Sequence, residues 1–325
     1  MSVESGKPAR LSVFKVQFDG GAALTSKKIY ANGKMQVRVR VILAAVDGGG
    51  NLAILTPSIY HSLRLIDYKT GKLLADGWVA SERPNEYAQA LYGVSADWKE
   101  EVSVNPYTHI KELWVSSSVA TDAQIGAVVT FNDKSIRSNN TTLGAKFDSS
   151  VTLEAEIPVV YELSKFRLDA VENKIAHERV LTHFYLSLYV AGQQIKLVNW
   201  AEKVAAAQGV VSGNHTVFDA HGYYPDNDYW WRSVCIFAGV EEQEVVVKLP
   251  QERGSNQSRF FPVRVNDRNG ALSIIQGVAL EFSADTTNRR GVFYFTAFDI
   301  YGTGHDLCLR FNESVFPGGF ILEKA

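Results

Sequence analysis

At 325 residues the chain exceeds what most single cores hold, so two domains are expected. Its 46% hydrophobic and 21% charged residues exclude a disordered chain. With 33 basic against 35 acidic residues, a net charge of −2 and no block of like charge, nucleic acid is not an expected partner.

The opening stretch, "MSVESGKPARLSVFKVQFDGG", has no apolar segment behind a basic one and so no visible secretory signal. No run reaches the ~18 apolar residues of a spanning helix. The expectation is a chain made in the cytoplasm that acts on a particle, outside the cell or at a target surface.

Along the chain, apolar residues recur at period two rather than 3.6, the mark of strands with one buried face. In "QVRVRVIL", Val37, Val39 and Val41 oppose Arg38 and Arg40. In "SVTLEAEI", Val151, Leu153, Ala155 and Ile157 oppose Thr152, Glu154 and Glu156. Such alternation predicts antiparallel sheets. Asn32-Gly33 is expected to turn "SKKIYA" into "KMQVRVRV", Thr70-Gly71 "LRLIDY" into "KLLADGWV", and Asn269-Gly270 "FFPVRV" into "ALSIIQGVALEF". Further breaks fall at 47–51, Asn132-Asp133 and Ala191-Gly192.

Three helices are expected. "NWAEKVAAAQG" offers Asn199 as cap, Glu202 as capping-box acid, and Gly209 as terminator, giving a helix near 200–208. "RPNEYAQALYG" has Pro84 in a first turn, and "LDAVENKIAHERV" sets Leu168, Val171 and Ile175 on one face. The predicted fold is mainly β: two antiparallel β-sandwich-like domains with few short helices, spanning 1–165 and 166–325.

The chemical motifs are mostly missing. There is no Gly-x-Ser-x-Gly elbow, phosphate-cradling loop, dinucleotide fingerprint, His-Glu-x-x-His or paired Cys-x-x-Cys, so no catalytic residue, cofactor or metal is assigned and the chain is read as a non-enzyme. His215, Asp219 and His221 share strand parity and are the best candidate metal ligands, yet their spacing is loose and a solvated strand edge explains them. Asp226-Asn227-Asp228 lacks the glycine and distal glutamate of a calcium loop, and reads as a turn. Cys235 and Cys308 are the two cysteines, each in an apolar run, expected as buried free thiols, with one disulfide between neighbouring strands as the alternative.

One stretch stands out. "HGYYPDNDYWWR" packs Tyr223, Tyr224, Tyr229, Trp230 and Trp231 beside Asp226, Asp228 and Arg232. Neighbouring residues of a strand face opposite ways, so the rings cannot all be hidden on one side. Aromatic faces flanked by hydrogen-bonding groups suit a sugar or a protein partner, and a plug between domains would use the same residues. These eight residues form the candidate ligand-binding site. The expected function is a binding or assembly protein of a virus tail, injection particle or adhesin, working as a homo-oligomer on a glycan or protein receptor.

The alternative is a β-type pore-forming toxin. From Trp114 to Ile157 the chain is rich in Ser and Thr and weakly alternating, which suits a hairpin inserting into membrane as well as an ordinary sheet.

Overall fold

The structure, a computed structural model, describes residues 6–19, 24–88, 91, 105–144, 146–176, 179–203, 210–212, 215–224, 229–237, 241–249, 259–281, 292–312 and 319–325. Among residues 172–180, 204–240, 247–260, 279–291 and 311–318, only backbone is described. The fold is mainly β, with 59% strand; among the described residues there is one short α-helix, and the several antiparallel sheets include none closed into a barrel. Two compact units emerge: Met1–Val159 with Tyr301–Thr303, and Val160–Ile300 with Gly304–Ala325.

In the first unit the strands are β1 Arg10–Phe18, β2 Ser26–Tyr30, β3 Val37–Val46, β4 Leu52–Ala53, β5 Arg64–Asp67, β6 Trp78–Ser81, β7 Thr108–Ser117, β8 Asp122–Phe131, β9 Lys134–Arg137 and β10 Val151–Glu156. They form two five-stranded sheets, β1-β3-β7-β6 with β4 on β3, and β2-β10-β8-β5 with β9 on β8. Alternation builds the core between them: Val37, Val39 and Val41 from one sheet pack in one cluster with Ile125, Val151, Leu153 and Ala155 from the other. On the far side of β3, Arg38 pairs with Asp19 at 2.9 Å. β10 ends at Glu156, so Ile157, expected on its buried face, lies beyond the strand and is exposed.

The second unit comprises β11 Phe166–Ala176, β12 Arg179–Val190, β13 Gln193–Ile195, β14 Leu197–Glu202, β15 Val210–Ser212, β16 His215–Tyr224, β17 Tyr229–Phe237, β18 Gln243–Leu249, β19 Arg259–Val265, β20 Leu272–Glu281, β21 Val292–Asp299, β22 Gly304–Asn312 and β23 Gly319–Lys324. A seven-stranded sheet, β11-β12-β20-β17-β16-β15 with β13 on β12, lies against the four-stranded sheet β14-β21-β22-β23. Phe184, Leu186, Leu188 and Ile274 meet Phe293, Phe295, Leu307 and Leu309 in the core between these sheets. The opposite face of β12 and β20 carries Leu181 and Ile275, which pack under Val245, Val263 and Val265 of the β18–β19 pair.

The three expected helices are corrected where their residues are described; 89–90, 92–93 and 204–209 lie outside the described residues. Residues 197–202 form β14, because Leu197 enters the core and the segment zips onto β21 from Leu197↔Asp299 to Glu202↔Phe295. A sheet edge that satisfies the backbone outweighs a local capping signal. The alanines at 205–207 lie outside the described residues. Residues 168–176 form β11, paired with β12 through a bulge between Ala170 and Glu172. The extra residue resets the period of two at Val171, which is why Leu168, Val171 and Ile175 mimic a helical stripe. At 84–88 the backbone is tied to the 34–36 loop instead: Asn85 donates its amide to Gln36 Oε1 at 2.9 Å and its side chain to Lys34 O at 2.6 Å. The one α-helix among the described residues, α1 at Pro57–Ser62, begins on a proline at its first position.

Turn signals divide by what they join. Asn132 and Asp133 both take positive φ and close β8 onto β9, and Ala191-Gly192 does the same for β12 and β13. Asn32-Gly33 and Asn269-Gly270 do not make hairpins. β2 and β3 belong to different sheets, as do β19 and β20, so each turn is an arch from one sheet to another.

Candidate functional site

The aromatic stretch is a β-hairpin. β16 and β17 pair from Thr216↔Phe237 to Tyr224↔Tyr229, and residues 225–228, including Asp226 and Asp228, lie outside the described residues. β17 is held on its other side by β20, with Trp230↔Glu281, Trp231↔Leu280 and Arg232↔Ala279. β20 is in turn paired with β12 at Arg179↔Ala279. The strand ends therefore extend a four-strand ladder rather than a free loop.

Register sorts the candidate residues. Cross-strand partners share a face and next neighbours do not. Tyr223 and Trp230 are partners, and Arg232 and His221 are the next pair on that face. Tyr224 with Tyr229, and Gly222 with Trp231, occupy the opposite face. Continued across β20 and β12, the first face holds Arg179 in the Arg232 row and Glu281 in the Trp230 row, and farther along it is the Leu181–Ile275 face. The second face runs on into Ile274 and Phe184, the side turned to the sandwich interior. Backbone geometry thus brings Tyr223, Trp230 and Arg232 together and separates them from Tyr224, Tyr229 and Trp231. Arg179 and Glu281 were invisible as neighbours of the hairpin in the sequence, because only long-range pairing puts them there.

The His215, Asp219, His221 set does not make one metal site. β16 is extended through all three residues, so at about 3.3 Å per residue the Cα atoms of His215 and His221 stand about 20 Å apart. Ligands of one zinc ion reach about 2 Å each. Among the described residues no group of three His, Cys, Asp or Glu side chains could hold a metal ion.

A histidine–carboxylate pair occurs elsewhere in the second unit. His305 Nε2 lies 3.2 Å from Asp299 Oδ2, and both side chains are 1% exposed. The Tyr161 amide donates to His305 Nδ1 at 3.4 Å, which leaves the imidazole proton on Nε2 facing the carboxylate. Phe166 packs edge-on against the same ring. Closed on this side by aromatics and sealed from solvent, the pair braces the start of the unit and offers no face to a substrate.

The Ser/Thr-rich segment is built into the first sandwich. β8 carries β10 on one edge and β5 on the other, and Ile125, Ala127 and Val129 of β8 are fully buried. Its polar side chains staple neighbouring chain: Ser138 accepts the Ala127 amide at 2.9 Å, and Gln124 donates to Ser150 at 2.8 Å.

No protein-family model matches the sequence, and no curated protein matches it.

Proposed function

We propose that the protein is a non-enzymatic binding or assembly component, of the kind carried by virus tails, injection particles or adhesive surface structures. In this reading the β16–β17 hairpin recognises a glycan or protein partner. The observation that carries it is the register that gathers Tyr223, Trp230 and Arg232 on one face. Aromatic rings give an apolar surface for the C–H face of a sugar or an apolar side chain, and a guanidinium fork holds hydroxyls or a carboxylate in fixed geometry. Because β20 pairs with β17 along the hairpin, binding would cost little ordering entropy on the protein side. Homo-oligomerisation would multiply a modest single-site affinity.

The inserting-hairpin alternative has weaker support. Its segment would have to withdraw Val129, Val151 and Leu153 from a core in which each is nearly or fully buried. The deciding experiment is a glycan-array screen of the full chain, with titration of the best ligand against Trp230→Ala and Trp231→Ala. Trp230→Ala should lose about 2 kcal/mol of binding, roughly 30-fold, with the fold intact, and Trp231→Ala much less. Equal losses would remove the face assignment, and dye leakage from liposomes would replace this reading with the pore.

A further inference from the structure

A cleft of about 610 Å³ opens in the first unit, between the edge strand β1 and the 146–151 segment that leads into β10. Its size falls within the range of small-molecule sites, roughly 300–1,000 Å³. It lies in a different unit from the aromatic hairpin and is independent of it.

The walls are fixed by bonds that use up their own polar groups. Ser149 Oγ accepts the Val16 amide at 2.9 Å and donates to the Val16 carbonyl at 3.3 Å. Ser150 is taken by Gln124, and the Asp148 carboxylate by the Tyr68 hydroxyl, whose pKa that bond raises. Phe147 stands edge-on to Phe14, ring centroids 5.7 Å apart. What remains for a ligand is a different set: the Lys15 and Lys146 ammoniums, the Gln17 amide, the Ser12 and Thr25 hydroxyls and the apolar flank of Leu24. Neither lysine makes an ion pair among the described residues, and the one carboxylate of the lining is already engaged.

This chemistry narrows the occupant. An extended peptide adding to β1 needs free backbone, yet Phe14 and Val16 are 2% and 4% exposed under the 146–149 segment. Nucleic acid needs a longer cationic track than two lysines provide. Two ammoniums, scattered hydroxyls and one apolar flank match a saccharide that carries acidic groups. We infer that the cleft between β1 and residues 146–151 is a second binding site, which takes an anionic saccharide.

The test titrates the full chain with oligogalacturonate, a sulfated dextran oligomer and neutral dextran, by calorimetry. The acidic probes should bind with a steep loss on adding salt, and neutral dextran should not. Preference between the first two assigns carboxylate or sulfate as the recognised group. The Lys15→Glu/Lys146→Glu variant should lose about tenfold or more in affinity at unchanged melting temperature, and Thr25→Trp, which fills the cleft, should do the same. Trp230→Ala should bind the acidic probes as the parent does, which separates this site from the hairpin. Binding unaffected by the lysine variant, equal binding of neutral dextran, loss in Trp230→Ala, or no binding of either acidic probe would each overturn the inference.

Discussion

Ser149 does for Val16 what a neighbouring strand would do: one hydroxyl accepts the Val16 amide at 2.9 Å and donates to its carbonyl at 3.3 Å. β1 is the last strand of its sheet, and an uncovered edge invites pairing with other chains. Replacing Ser149 with alanine leaves the Val16 amide and carbonyl without their partner, in a residue 4% exposed. Such orphaning costs about 1–3 kcal/mol. Ser149→Ala should therefore lower the unfolding free energy extrapolated from urea titration by that amount, and light scattering should show more self-association than in the parent. A variant as stable and as monodisperse as the parent would mean that the edge is protected by Phe147 packing alone.

The second prediction concerns secondary structure in solution. With 59% strand and, among the described residues, one α-helix of six residues, far-ultraviolet circular dichroism should show a strand spectrum with helix far below the ~30–35% of average globular domains. The alanine-rich 204–209 stretch is too short to change this. A helical content above one third would contradict both the sequence pattern and the fold.

What the sequence made legible follows from locality. The alternation in β3 and β10 is read directly because one face of each is buried, and Asn132-Asp133 is a hairpin because its two positive φ angles match the twist of the strands it joins. The arch at Asn32 carries the same Asn-Gly signal, but its partners lie elsewhere: Asn32 Oδ1 accepts the Lys34 and Met35 amides, and β2 finds β10, more than a hundred residues away, as a parallel neighbour. Local turn chemistry cannot say whether the next strand folds back or crosses to another sheet. The missed strands β11 and β14 fail similarly, one through a bulge that breaks parity, the other through an edge offered by β21. At the candidate site, parity separated Trp230 from Trp231 in the sequence, and only register revealed that Arg179 and Arg232 share a row.

Acid should weaken the first unit through Glu82. Its carboxyl is held below the ordinary range by the hydrogen bond and charge of Lys111, 2.8 Å away. A depressed folded value means that this contribution is present above the unfolded carboxylate value of about 4.3, and is lost as pH falls through the folded value. Glu82 is itself exposed, so screening keeps the pair's direct worth small. Lys111 is different: its side chain is 6% exposed beside the Tyr60 ring, so a neutral Glu82 leaves a nearly buried ammonium without its counter-ion. Glu82→Gln should lose stability at neutral pH and lose less on further acidification than the parent. Glu323→Gln, which releases only the exposed Arg310, should change little at either pH. Parallel acid profiles for the parent and Glu82→Gln would remove Glu82 from the acid response.

The last prediction concerns Cys308, a free and buried thiol on β22, in the four-stranded sheet. Cys235 sits on β17 of the other sheet, where its side chain lies outside the described residues. Burial is the main cause that pushes the Cys308 thiol up, with the Glu323 charge adding to it and Arg310 opposing. Only thiolate attacks a maleimide or disulfide reagent, so burial slows labelling twice, by closing access and by reducing the ionised fraction. Because the folded value is raised, stability from the neutral thiol is complete below the unfolded value of about 8.5 and is lost as pH rises through the folded one. Native labelling at neutral pH should leave the Cys308 peptide unmodified by mass spectrometry, and denaturation should label it at the rate of a free thiol. Cys308→Ser should cost about 1–3 kcal/mol, since a hydroxyl buried on the face that Cys308 shares with its strand partners Tyr294 and Glu323 must find a new acceptor or go without. Rapid native labelling at Cys308 would show that β22 opens locally far more often than the rest of its sheet.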